Sequence, residues 1–189
     1  GKQRFEWQLA QHLAELHSHK AERFGPAANE TPTEHHDRWL NLFAPIAEFE
    51  AAGARGVLGS SSRDVVDHVA RHLGHWLDHR PTPALIHGDL WANNILINNA
   101  NPARPTINAY IDGHASFADP EYELAYLQLF KTAGPHFFEM YQRTHRLDAG
   151  YPRRSRVYWL ITLLQHCRMF GGKYVPACEQ IVRELRSMR

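Results

Sequence analysis

Apolar residues recur every three or four positions from the start of the chain. In RFEWQLAQHLAELHSHK, Phe5, Leu9, Leu13 and Leu16 share one helical face, and FGP at Phe24–Pro26 is expected to end that element. After a polar connector, NETPTEHH, the series Trp39, Leu42, Phe43, Ile46 and Phe49 predicts a second helix that stops near Gly53. SSSRDVVDHVARHLGHWLDHR predicts a third, with N-cap candidates at Ser60–Ser62 and an end before Pro81.

The period then changes. ALIH and NILI are short apolar runs, and the turn-rich NNANPARPT between NILI and INAYID makes that pair a β-hairpin. From DPEYELAYLQLF onward the helical spacing returns, through GPHFFEMYQRTH, YPRRSRVYWLITLLQHCRMFG and KYVPACEQIVRELRSMR. The expected architecture is α+β and mostly helical, with a small sheet insert, no internal repeat and no low-complexity segment.

Composition narrows what such a chain does. Its 189 residues, 43% of them hydrophobic, are enough for a folded core. A formal net charge of +1 provides no field for nucleic acid or an anionic membrane, so neither is expected as a partner. The opening GKQRFEWQLAQHL has no uninterrupted apolar stretch of the kind a signal peptide needs, and no window is apolar for long enough to span a bilayer. Two cysteines, Cys167 and Cys178, without CxxC spacing, suit a reducing compartment, and hence a cytoplasmic location.

The chemistry concentrates in ALIHGDLWANNILI and NAYIDGHASFADPEYELAYLQLF. A carboxylate near a strand end costs desolvation energy unless something positive meets it. Asp89 on the loop before a hairpin, Asn94 five residues on, and Asp112 at the far end of the second strand form the Asp-x4-Asn … Asp arrangement of kinase-type phosphoryl transfer. In that arrangement Asp89 orients the attacking hydroxyl and accepts its proton. Asn94 and Asp112 hold Mg²⁺, a hard cation served by oxygen ligands, against nucleotide phosphates. The plainer alternative, a capping Asp89, a turn Asn94 and a loop-starting Asp112, explains each residue separately and the constellation poorly.

LAELH at Leu13–His17, LIHGDLWANN, the Ile-Asp pair and DPEYELAYLQLF together resemble the aminoglycoside phosphotransferase-like superfamily and, within it, the fructosamine kinase family, whose loop reads H-G-D-L-W-x-x-N. The C-terminal stretch is similar to that family's last helices, with Tyr158, His166, Phe170 and Gly171. One departure is local: Asp112-Gly113-His114-Ala115 stands where the family usually has Asp-Pro-Ala. The resemblance implies a protein-kinase-like C-terminal lobe over residues 1–189, with a catalytic loop at 85–97 and a metal-binding loop at 109–118. It also implies that the N-terminal lobe, with its phosphate-covering loop and strand lysine, is absent from this chain, which alone would be inactive.

The same resemblance makes Asp89 the catalytic base, Asn94 and Asp112 the metal ligands, and His87 a packing residue between the two loops. Asp119 and Glu123 become structural, Asp119 as the N-cap of a helix that begins at Pro120. Trp91 either stacks on a sugar or amine substrate or fills the core. The implied activity is an ATP- and Mg²⁺-dependent transfer of the γ-phosphoryl group to a hydroxyl of a free or protein-bound ketosamine. An aminoglycoside- or choline-type phosphotransferase and a non-catalytic binding module are the alternatives. His68, His72, His75 and His79 form a stripe on the third expected helix, read as a surface stripe with adventitious metal affinity. His17–Ser18–His19 is read as a helix C-terminus, where His suits the dipole.

Overall fold

The computed structural model describes residues 1–28, 34–98, 100–101 and 104–188. Parts of the connector NETPTEHH and of the hairpin turn NNANPARPT lie outside the described residues. In chain order the elements are α1 (Lys2–Leu16), β1 (Gly25–Pro26), α2 (Trp39–Ala54), α3 (Ser60–Arg71), α4 (Leu73–Trp76), β2 (Ala84–Ile86), β3 (Ile95–Asn98), β4 (Thr106–Tyr110), β5 (Ser116–Ala118), α5 (Pro120–Leu129), α6 (Pro135–Tyr141), α7 (Tyr151–Phe170) and α8 (Val175–Ser187). They fall into two compact units, Gly1–Asp37 with Pro81–Ala149 and Arg38–Arg80 with Gly150–Arg189.

In the first unit, α1 buries Leu9 and Leu13 on the face its periodicity predicts and packs against α6, whose Phe137 and Tyr141 are equally buried. The helix ends at Leu16 with His17 as its C-cap, as expected of His17–Ser18–His19 and eight residues before FGP. FGP instead enters a strand: Gly25 and Pro26 pair with Phe117 and Ser116. At Gly25 a Cβ would lie 2.7 Å from the Glu34 carbonyl oxygen, so that close approach requires glycine.

The expected small insert, one hairpin carrying both loops, is corrected to two sheets. β3 and β4 do form an antiparallel hairpin, irregular between Leu96 and Ile97. ALI, however, pairs with Ser116–Ala118 in a second antiparallel sheet of order β1-β5-β2. Two- and three-residue strands are too short to display a period of two, and their partners lie about thirty to ninety residues away in sequence, so no local pattern announces them. The consequence governs the site. The chain passes from the three-stranded sheet to the hairpin between β2 and β3 and returns between β4 and β5. Because Ile86 pairs with Ser116 at one end and Ile95 with Tyr110 at the other, the two connecting loops run side by side. Helix α1 ties down the returning strand: Gln8 donates from Nε2 to the Pro105 carbonyl at 2.9 Å, and His12 Nδ1 meets the Tyr110 hydroxyl at 2.8 Å.

The second unit is helical. α7 packs on α2 and α8, and α3 packs on α2 and α8. Its interior holds Phe43, Val69, Trp76, Val157, Leu160 and Leu164, all at most 2% exposed. The polar ends of its aromatics are matched where Trp39 Nε1 donates to the Tyr158 hydroxyl at 2.9 Å. Arg168 clasps Glu50 with two hydrogen bonds of 2.7 and 2.9 Å, joining α7 to α2.

Two expectations change here. The helix N-cap is Gly59, with Ser60 already helical and no side-chain cap bond. The predicted single helix also breaks at His72 (φ −115°, ψ 28°), where the imidazole Nδ1 meets the His68 carbonyl at 2.9 Å and Gly74, a poor helix former, follows two residues later. The histidine stripe is therefore divided: the His68 and His72 rings lie 4.3 Å apart at the end of α3, His75 is on α4, and His79 is beyond it.

Candidate functional site

The site lies in the first unit, where the 87–94 and 111–115 loops run together. Two backbone hydrogen bonds join them, and a third closes a turn within the first loop. His114 N–H donates to the His87 carbonyl at 2.7 Å, and Ile111 N–H donates to the Asn94 carbonyl at 3.0 Å. Asn94 N–H closes a turn onto the Trp91 carbonyl at 2.9 Å. This proximity depends on Gly88, whose φ is +87° and whose Cβ would sit 2.4 Å from the His114 carbonyl oxygen.

Asp89 is half-buried, and its carboxylate is held at both oxygens. Oδ1 accepts the Tyr126 hydroxyl at 2.6 Å, while Oδ2 accepts Asn94 Nδ2 at 3.1 Å. Asn94 is 5% exposed, and the same Nδ2 also donates to the Asp89 carbonyl at 2.8 Å. With both bonds spent by its amide nitrogen, Asn94 keeps its Oδ1 as the acceptor end. Asp112 is exposed, in the left-handed region at φ 56°, directly after the residue that bonds to Asn94. That conformation is one that Asp tolerates better than most side chains.

His87 is half-buried and lies between the loops. Its Nδ1 accepts from Asp89 N–H at 3.3 Å, which assigns the proton to Nε2, and its ring lies against Tyr110 at 6.2 Å. Trp91 is half-buried, just before the 3₁₀ turn Ala92–Asn94, so neither a fully sequestered core role nor a free surface position describes it.

Beneath the loops, α5 is the organising element. Asp119, fully buried, accepts from Glu121 N–H at 2.9 Å and so caps the helix, whose next residue is Pro120. Glu123 and Tyr126, three apart and therefore on one face, reach consecutive residues of the loop. Glu123 Oε1 accepts Gly88 N–H at 2.9 Å, and the Tyr126 hydroxyl takes Asp89. Glu123 is 2% exposed, and its other oxygen, Oε2, lies 3.0 Å from His17 Nε2; His17 Nδ1 in turn lies 2.7 Å from the Tyr141 hydroxyl.

The electrostatics give that chain a direction. Burial, reinforced by the Glu123 carboxylate, pushes the Tyr141 hydroxyl well above its ordinary range, so it stays a neutral hydroxyl beside His17 Nδ1. His17 then donates from Nε2 to Glu123, which is left to accept Gly88. Burial and Glu123 also push the Tyr110 hydroxyl up. The helix dipole alone would not have placed His17 here, since it is fully buried and tied to residues more than a hundred positions away.

The structure thus brings Asp89, Asn94, His87 and Glu123 into contact with one another or with the loop, and puts Asp112 beside Asn94 through the backbone. Tyr126 and His17 join them without being expected as site residues from the sequence. The signal for Tyr126 was available: a tyrosine one turn after Glu123, on the face that reaches the loop, carries a hydroxyl that needs a partner when partly buried. His17 ends the LAELH stretch that carries part of the family resemblance, but nothing in that stretch indicates its partners.

The family profile described as Fructosamine kinase matches residues 1–188. A protein named a probable ketoamine kinase, YniA of Escherichia coli K12, is 30% identical over 188 residues, which cover 94% of this chain and 62% of that protein. A similarly named Synechocystis protein is 31% identical, covering 94% of this chain and 61% of its own length. A crystal structure assigned as a fructosamine-3-kinase, from Thermobifida fusca YX-ER1, superposes with a TM-score of 0.77 and 25% identity, over 99% of this chain and 66% of that one. The GDP complex of aminoglycoside 2'-phosphotransferase-IIIa shares the fold at TM-score 0.59 and 22% identity, over 99% of this chain and 62% of that one.

The chain therefore spans about three-fifths of the length of these curated relatives. One expectation is corrected by this result. Nearly all of the chain is matched within a fructosamine-3-kinase-like structure, so it is not set apart as a lobe defined by an absent partner, and the inactivity argued from that absence has no support. Among the described residues, no helix is long and apolar enough to cross a membrane.

Proposed function

The chain belongs to the fructosamine kinase family, and on that premise we propose that the protein transfers the γ-phosphoryl group of ATP to a hydroxyl of a ketosamine, with Mg²⁺ as cofactor. The single observation that carries this reading is the junction of the two loops. Asn94 bonds through its side chain to Asp89 and through its backbone to Ile111, the residue before Asp112. A carboxylate, an amide and a second carboxylate are thereby tied to one short stretch of backbone, which is the set of groups that kinase-type phosphoryl transfer uses.

In the proposed division of labour Asp89 accepts a hydrogen bond from the substrate hydroxyl, aligns it, and takes its proton as the phosphoryl group is transferred. The donor set suits a hard divalent cation: Asn94 has only its amide oxygen left to offer, and Asp112 adds an exposed anionic oxygen. When bound there, Mg²⁺ supplies charge neutralisation to the phosphates. Asn94 and Asp112 hold it, and the Asp89 contact keeps the Asn94 amide from rotating its nitrogen into the ligand position. Trp91, half-buried beside the base, offers a ring face to the sugar or amine of the acceptor. His87, Asp119 and Glu123 shape the loop and touch no reactant.

Asp89→Asn tests the reading. The substitution is nearly isosteric but neither anionic nor basic, so turnover of a fructosyl-lysine-type acceptor should fall by about 10²- to 10⁴-fold, the usual worth of a positioned general base. Nucleotide affinity should hardly change, because the loss is felt mainly in the transition state. Parental turnover in Asp89→Asn would remove the base from the mechanism.

A further inference from the structure

Phosphoryl transfer asks little covalent chemistry of a protein and much orientation, so what holds the base matters as much as the base. The last torsion of an aspartate is broad and roughly two-fold, which leaves a carboxylate tethered at one oxygen free to swing. Asn94 holds only Oδ2, and Asn94 itself is on the loop. The other oxygen is held from a different element. Tyr126 projects from α5, a helix capped by the buried Asp119 and joined to the same loop by Glu123, and its hydroxyl reaches Asp89 Oδ1 at 2.6 Å. An O–H···O⁻ bond of that length is a short, charge-assisted one. The tyrosine ring is itself steadied against Phe130, 4.7 Å away, and lines a small pocket under the loop with Ile86, Gly88, Leu90, Tyr122 and Glu123.

We infer that Tyr126 is the positioning residue for Asp89: its hydroxyl, carried on the rigid α5, fixes the carboxylate so that an unoccupied lone pair faces the incoming hydroxyl. A carboxylate has about four acceptor sites, so the bonds from Tyr126 and Asn94 leave room for the substrate. The inference rests on Asp89 acting as the base. It makes α5 a two-point support, with Glu123 setting the backbone at Gly88 and Tyr126 setting the side chain of the next residue.

The test is Tyr126→Phe, which removes one oxygen and keeps the ring. Turnover should fall about tenfold or more, in keeping with the strength of a hydrogen bond to a charged group, with KM for nucleotide and acceptor unchanged. Phe130→Leu loosens the packing that steadies the ring but spares the hydroxyl, and should lower turnover by much less than Tyr126→Phe does. Independently of turnover, proton NMR of the parent should show a slowly exchanging, downfield hydroxyl resonance that vanishes in Tyr126→Phe and moves upfield in Asp89→Asn. Parental or raised turnover in Tyr126→Phe, an equal loss in Phe130→Leu, or absence of the resonance from the parent would each overturn the inference. If Asp89→Asn is inactive while Tyr126→Phe is unimpaired, only this inference fails; if Asp89→Asn keeps parental turnover, the proposed function fails with it.

Discussion

Both compact units bury polar groups, but they use them differently. The second, built from α2, α3, α4, α7 and α8, fills its interior with Phe43, Val69, Trp76, Leu160 and Leu164, and several of its charged groups join neighbouring elements, as Arg168 does with Glu50 and Arg153 with Asp78 at 2.7 Å. The first also has an apolar core, but it buries His17, Asn94, Asp119 and Glu123 within it, each hydrogen-bonded and none more than 5% exposed. Buried polar groups are costly unless they are satisfied, so their concentration here needs a compensating role. That role is visible in what they touch: Glu123 and Asn94 bond to the loop that carries Asp89, Asp119 caps the helix beneath it, and His17 holds Glu123. Regular helices satisfy their own backbone, while two adjacent loops must be satisfied by side chains.

The comparison can be broken or sharpened by substitution. The largest stability effect is expected in the second unit. Leu160→Ala removes a fully buried side chain and should cost about 3–5 kcal/mol, measured by denaturant unfolding, with turnover per folded molecule unaltered. A turnover defect as large as that of Asp89→Asn would show that the apolar unit also sets the geometry of the site.

A smaller loss is expected from Glu123→Gln in the first unit. The amide oxygen can still accept Gly88 N–H, but its NH₂ then faces the Nε2–H of His17, two donors opposed in a buried place. The cost should be about 1–3 kcal/mol, and here turnover should fall as well, because Gly88 precedes the base. Stability loss without loss of turnover would mean that the polar network supports the fold and not the site.

The smallest effect is a pH dependence. Burial, followed by the neighbouring Lys20 and His17, lowers the pKa of His145 below its ordinary 6.5, and the ring stacks on Tyr141 at 5.3 Å. Below pH 6.5 the unfolded chain therefore binds a proton that the folded chain resists, so folding stability declines on acidification from about that value. His145→Gln should flatten this part of a stability-against-pH curve. An unchanged slope would place the acid sensitivity elsewhere.

What was legible before the structure follows from the range of each interaction. The spacing from Asp89 to Asn94 records a contact made within one loop, and Asp119-Pro120 records a helix start, so both can be read from adjacent letters. The apolar periods of α1 and α7 record faces that repeat every turn, whereas on α2 the expected Ile46 and Phe49 are exposed and Phe43, Ala47 and Ala51 face the interior instead. The break at His72 and the identity of the α3 cap were not readable in this way, because short-range competition between side chain and backbone decides them within an energy comparable to helix propensity itself.

The sequence by itself determined the helical character of most of the chain, the hairpin, and the residue types and spacing of the kinase-like constellation. These depend on neighbours a few residues apart and on a motif whose letters are contiguous. Only the tertiary structure decided that Ala84–Ile86 pairs with Ser116–Ala118, that the two loops consequently lie side by side, and that α5 holds one of them at Gly88 and Asp89. It also decided that His17, one residue past the end of the first helix, secures Glu123 across 106 positions. A three-residue strand has no period to display, and a buried histidine reads in sequence like an exposed one; their partners are chosen by the path of the whole chain, which local patterning does not encode.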